Sequence, residues 1–211
     1  MKSSLLALAA ALALLVGAPA SALTLNASAS AGVTNEPGTD GVVSYNDYIT
    51  VNYQDGWENV GLIQFDLAGV SGLSSAVLNL YHEYNSGVNA EFAVFRNTSA
   101  WVGNTNNWLT RPTYDATPAG TLSLVAGSYD QNEWYAVDVT ATVAAWADGT
   151  HANYGFTLAR TDAANPFLYF QGKGQANPPT LLLSAVPEPS TYGLMFGGLA
   201  LLGCKLRRRS A

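Results

Sequence analysis

The sequence predicts an all-β fold, an antiparallel jelly-roll-like β-sandwich with one short helix, flanked by an N-terminal signal helix and a C-terminal transmembrane helix. Three observations carry this. Eight or nine short runs rich in β-branched and aromatic residues recur at turn-marked intervals through the middle of the chain. That middle is rich in Gly, Asn, Thr, Tyr and Trp, and charged residues make up only 11% of the chain, a composition of strands and turns. Only one internal segment, 141–147, has the spacing of a helix.

The chain starts with a positive Lys2 and an apolar stretch over 5–16, too short to span a bilayer stably. Ala20-Ser21-Ala22 follows, with the small residues Ala20 and Ala22 at the positions a signal peptidase reads, so residues 1–22 are expected to be removed before Leu23. Residues 23–185 then form one domain, long enough for a proper core.

Within it, 48–53 reads as a strand followed by a turn at Gln54-Asp55-Gly56, since Asp-Gly is a strong turn signal. Further strands are expected over 60–67, 76–84, 91–96, 120–125, 133–137, 154–159, 167–171 and 180–184. In the 76–84 run strict alternation sets Leu78 and Leu80 inward and Asn79, Tyr81 and Glu83 on an outer or concave face. For 92–97 the pattern selects no face. The helix is expected to be capped by Asp138 or Thr140, to bury Val143 and Trp146, and to end at Gly149.

The end of the chain has three parts in fixed order: Pro187-Glu188-Pro189, an apolar segment over 192–206 that carries no charge from Gly193 to Gly203, and Arg207-Arg208-Arg209. The prolines hold the chain extended. At ~1.5 Å per residue the apolar segment reaches only ~22 Å against a hydrocarbon core of ~30 Å, a marginal span suited to a transient anchor. The arginines are expected to stay cytoplasmic. Cys204, the one cysteine, lies in this segment, so no intrachain disulfide forms.

Charge narrows the partners. Residues 23–185 carry four basic residues, Arg96, Arg111, Arg160 and Lys173, against fourteen acidic ones, a net charge of −10. Such a surface repels nucleic acid and anionic polymers and favours a neutral, cationic or calcium-bridged partner. Catalytic signals are thin. Neither histidine sits in a triad or metal spacing: His82 falls on the inward side of its strand, and His151 follows a turn. Glu83 and Glu91 flank a hairpin loop, where two carboxylates serve either as a glycosidase pair or as ordinary turn-flanking acids, and no third group splits their pKa values. Asp40, Asp47, Asp55 and Asp66 near oxygen-rich turns are candidate ligands for a structural calcium. Aromatics are the stronger binding signal: a ring left exposed stacks on the CH face of a sugar while neighbouring polar groups bind its hydroxyls. Trp57, Tyr81 and Trp108, with Asn79 and Glu83, are the candidates.

The tail resembles the PEP-CTERM sorting signal, which implies recognition and cleavage by an exosortase-type membrane protease in a Gram-negative bacterium that makes extracellular polysaccharide. Residues 61–67, 76–81, Trp101, Trp108 with Arg111-Pro112, and 138–156 with Trp146, Gly149 and Asn153 together resemble extracellular β-sandwich domains of the DNRLRE or disaggregatase-related type, similar to certain carbohydrate-binding modules. Two departures matter. Trp101-Val102-Gly103 stands where that family often has Trp-Thr-Glu, and Gln171-Gly172-Lys173-Gly174 replaces its Ser-Arg-Glu, so polar contacts made by those groups do not carry over. The resemblance implies an exported surface or matrix protein that associates with exopolysaccharide. A ligand-free structural protein and a polysaccharide-degrading enzyme are the alternatives.

Overall fold

The computed structural model describes residues 22–185 apart from 55, 86–88, 104, 125–131 and 162–167. The signal segment with Ala20, the tail with Pro187, Glu188, Pro189 and Arg207 to Arg209, Cys204, and the turn residue Asp55 lie outside the described residues. Among the described residues no helix is long and apolar enough to cross a membrane.

The described strands form two antiparallel layers. Sheet I contains β1 (Ala22–Asn26), β4 (Tyr48–Gln54), β6 (Leu73–Asn85), β9 (Glu133–Asp138), β11 (Leu168–Gln171) and β12 (Thr180–Ala185). Its long strand β6 pairs β9 along one edge and β11 and then β12 along the other, with β4 beyond β11 and β1 beyond β12. Sheet II contains β2 (Ala29–Thr34), β3 (Val42–Tyr45), β5 (Trp57–Gln64), β7 (Ala90–Arg96), β8 (Gly120–Leu124) and β10 (Phe156–Arg160), in the order β3-β2-β5-β10-β7-β8. β4 joins the layers: residues 48–51 pair β11, and 52–54 turn onto β5.

Period-two patterning explains the main core. Leu78 and Leu80 of β6, Val137 of β9, Leu168 and Phe170 of β11, and Leu181 and Leu183 of β12 meet Ile63, Phe92, Val94, Phe156 and Leu158 from sheet II. Buried aliphatic and aromatic side chains of this size contribute roughly 1.5–3 kcal/mol each on removal from water. Leu78 and Leu80 face inward as expected, with Asn79, Tyr81 and Glu83 on the opposite side.

The undecided strand 92–97 proves to be buried on both faces. Phe92 and Val94 enter the main core, while Ala93 and Phe95 enter a second one built on the outer surface of sheet II. There Ala31, Val33, Val60, Leu62 and Ala159 are covered by Trp101, Trp108 and Tyr114 of the 97–119 segment. Trp101 donates its Nε1–H to the carbonyl of Tyr154 at 2.9 Å, and Arg96 grips Asp115 bidentately at 2.7 and 3.0 Å.

The helix α1 spans Thr140–Ala147 and buries Val143 and Trp146, the latter tilted against Phe156 with ring centroids 4.6 Å apart. Its cap differs from expectation: Val139 holds the cap position, Asp138 Oδ1 accepts from the Thr140 N–H one residue further out, and the Thr140 hydroxyl accepts from the N–H of Ala76. Gly149 ends it at φ +79.

Three strands, β1 to β3, were not legible in the sequence, because β2 is built of Ala, Ser and Gly whose small size lets the 97–119 segment approach. β5 starts at Trp57 and stops at Gln64, earlier at both ends than the expected 60–67. Residues 154 and 155 stay outside β10, since Gly155 adopts φ +77 directly beneath the carbonyl of Ile63.

Candidate functional site

The second core has a functional consequence, because it covers the outer face of sheet II with the protein's own chain. The outer face of sheet I is open in part, for Thr50 and Gln171 on it are buried. Trp134 on β9 is 48% exposed and Tyr48 on β4 is 36% exposed.

Between these rings the open face is ordered by strand register. Tyr81 lies directly across from Trp134 on β9, and the two rings meet edge to face at 5.3 Å. Phe170 pairs His82 and Gln171 pairs Tyr48, so Gln171 falls between Tyr81 and Tyr48 in the same cross-strand row. Tyr48 in turn meets Tyr169 of β11 edge to face at 6.0 Å. The result is two aromatic pairs with a polar centre between them.

Polar side chains of this face are held by neighbours. Gln171, almost buried, accepts from the Asn177 N–H at 2.7 Å through Oε1 and directs Nε2 at Glu83 Oε2, 3.5 Å away. With its carboxamide oxygen committed, the amide end of Gln171 has one orientation. Asn79 donates to the Thr180 hydroxyl, and the Tyr81 hydroxyl donates to Asn132, both at 3.4 Å. Preset hydroxyls, amides and a carboxylate between rings are the groups that orient a polyhydroxylated ligand.

Of the residues singled out from the sequence, Asn79, Tyr81 and Glu83 thus share this face, whereas Trp57 and Trp108 are elsewhere. Trp57 opens β5 at the β4–β5 hairpin, half-buried. Trp108 belongs to the second core on the far side of the sandwich, and the Arg111 guanidinium covers its ring at 3.6 Å from the centroid. Beside it Glu36, Asp40 and Leu109 line a shallow cleft of about 200 Å³, smaller than a usual ligand pocket. Trp134, Tyr48, Tyr169 and Gln171 complete the open face without having been chosen from the sequence. The signal for Trp134 was present: Val137, two turns of the pleat away from Glu133, points inward, and alternation then sends Trp134 out.

Among the described residues, the carboxylates and histidines singled out from the sequence stand apart from one another. Glu83 and Glu91 stand on opposite outer faces with the core between them, since Phe92 and Val94 are the inward residues of β7. His82 is wholly buried, its ring edge-on to Tyr135 at 5.7 Å and tilted against Phe170 at 5.3 Å. Asp40 accepts from the Val42 N–H and Asp66 from the Ala68 N–H, each closing a local turn. Asp47 offers its backbone carbonyl to Gly172. Among the described residues, which do not include Asp55, no three His, Cys, Asp or Glu side chains gather to hold a metal ion.

Comparison with known proteins assigns two parts of the chain. The profile of carbohydrate-binding module family 96 matches residues 23–185, and that of the PEP-CTERM protein-sorting motif matches residues 185–210. No curated protein matches the chain. With the profile covering the whole β-sandwich, the chain belongs to carbohydrate-binding module family 96 and ends in a PEP-CTERM sorting motif.

Proposed function

We propose that this protein is exported after removal of residues 1–22 by signal peptidase, held transiently in the inner membrane by its tail, released by an exosortase, and left at the cell surface or in the matrix. There its sandwich binds exopolysaccharide without cleaving it. The observation that carries the binding role is the open face of sheet I, where Trp134, Tyr81, Tyr169 and Tyr48 frame Glu83 and Gln171. A binding module supports a non-enzymatic role, and so does the separation of Glu83 from Glu91, because hydrolysis needs two carboxylates flanking one bond.

Affinity electrophoresis of the processed protein in gels containing exopolysaccharide from its producing cells tests this, with and without a chelator. Retardation is the expected result. Normal mobility in every gel, or release of new reducing ends, would refute the proposal. Loss of retardation with chelator alone would show that binding requires calcium.

A further inference from the structure

Resting on the reading that signal peptidase cuts before Leu23, we infer that the pairing of β1 with β12 is a seal: the signal segment is removable only until the last strand closes on the first, and the folded precursor resists the peptidase. The bond to be cut lies inside the ladder. Ala22 stands opposite Ser184 and Leu23 opposite Leu183, in an unbroken antiparallel register that runs on to Asn26 opposite Thr180. The Ala27 N–H donates to the Pro179 carbonyl at 2.9 Å, and alternation along the pair then turns the N–H groups of Leu25 and Leu23 toward β12. The amide of the Ala22–Leu23 bond is therefore itself a ladder donor. The Leu23 side chain is 47% exposed, but a protease takes its substrate as an extended backbone, and here that backbone is already engaged.

The partner strand is fixed in place. The Ser74 hydroxyl donates to the Ser184 carbonyl at 3.0 Å, Leu181 and Leu183 are buried in the main core, and Leu25 packs against that core from β1. Topology sets the timing. Among the described residues β1 pairs with β12 alone, and β12 is the last strand. A chain exported amino end first leaves β1 without its partner until residues 180–185 have crossed, so the bond is open throughout the passage and closes at its end. Opening the ladder on both sides of the bond breaks about two hydrogen bonds, each worth about fivefold in an equilibrium constant. Cutting from an opened state follows the population of that state, so the seal slows it about 25-fold.

Full-length precursor refolded in detergent is incubated with purified signal peptidase, beside a synthetic peptide of residues 1–30 that carries the same site without β12. The folded precursor is expected to be cut about 25-fold more slowly than the peptide. Leu183→Pro leaves the residues around the cut untouched, removes a β12 N–H that alternation turns toward β1, and brings the rate close to that of the peptide. Thr24→Pro, whose N–H faces the free edge, keeps the resistance when measured against a peptide with the same substitution. Circular dichroism melting establishes folding, and the wild-type precursor against its peptide decides the matter even where a variant does not fold. Equal rates for folded precursor and peptide overturn the seal while the cleavage site stands. Resistance that persists in a folded Leu183→Pro chain overturns it too, since the protection then lies elsewhere. Sequencing of the exported protein tests the underlying reading separately: an amino terminus other than Leu23 removes both the site and the seal.

Discussion

Truncating Trp101 tests whether the layer over sheet II is part of the folding unit or only draped on it. Its ring is 7% exposed within the second core, packed with Val60, Leu62 and Phe95, and its Nε1–H reaches Tyr154 O at 2.9 Å. Trp101→Ala removes both the packing and the hydrogen bond, and buried Trp→Ala changes cost about 3–5 kcal/mol. For a domain of this size that lowers Tm by about 6–20 °C, at about 2–4 °C per kcal/mol. Trp101→Phe separates the two contributions. It keeps most of the apolar filling, and Tyr154 O still accepts from Asn97 Nδ2 at 3.0 Å, so no buried carbonyl is orphaned. The Phe variant is therefore expected to lose only about 1–2 kcal/mol, a hydrogen bond plus a small void. Urea unfolding followed by circular dichroism measures both, and the slope m stays at the wild-type value because one unit unfolds. A Trp101→Ala midpoint equal to wild type, or a Phe variant as damaged as the Ala variant, would refute this account of the second core.

Other expectations follow from single contacts. Gly155→Ala places a Cβ against the Ile63 carbonyl at φ +77, combining a left-handed penalty of about 1–2 kcal/mol with a backbone clash, so Tm falls markedly while Gly149→Ala, at φ +79 with open space around it, shows the conformational penalty alone. Thr140, through its hydroxyl and then its N–H, holds the Asp138 carboxyl below the ordinary carboxylate range. A depressed pKa stabilises the fold above the unfolded-state value and loses that contribution as pH falls through the native one, so Asp138→Ala should lower Tm at neutral pH and converge on wild type in acid, as melting curves across pH will report. Asp115→Ala, which strips Arg96 of its bidentate partner, should increase protease cutting within 97–119 with glycan binding unchanged, since the two lie on opposite faces. Weakened binding in that variant would show that the sheets do not act independently.

Much of this protein was determined locally. The sorting motif was legible in the fixed order of Pro-Glu-Pro, apolar segment and arginines, and β6 of sheet I followed from period two because Leu78 and Leu80 are buried while Asn79 and Tyr81 are not, which leaves alternation intact. β2 and β7 escaped that reading for a physical reason: each is covered on both sides, so Ala31 and Val33, or Phe92 through Phe95, carry no alternation to read. The same burial decided the site. Trp108 and Tyr81 are indistinguishable as aromatic residues in a sequence, and only tertiary structure drew one under Arg111 into a second core and left the other beside Trp134 on the open sheet. Exposure is a property of what packs against a ring, and long-range strand register, pairing residues as distant as Tyr81 and Trp134 or Tyr48 and Gln171, sets that packing.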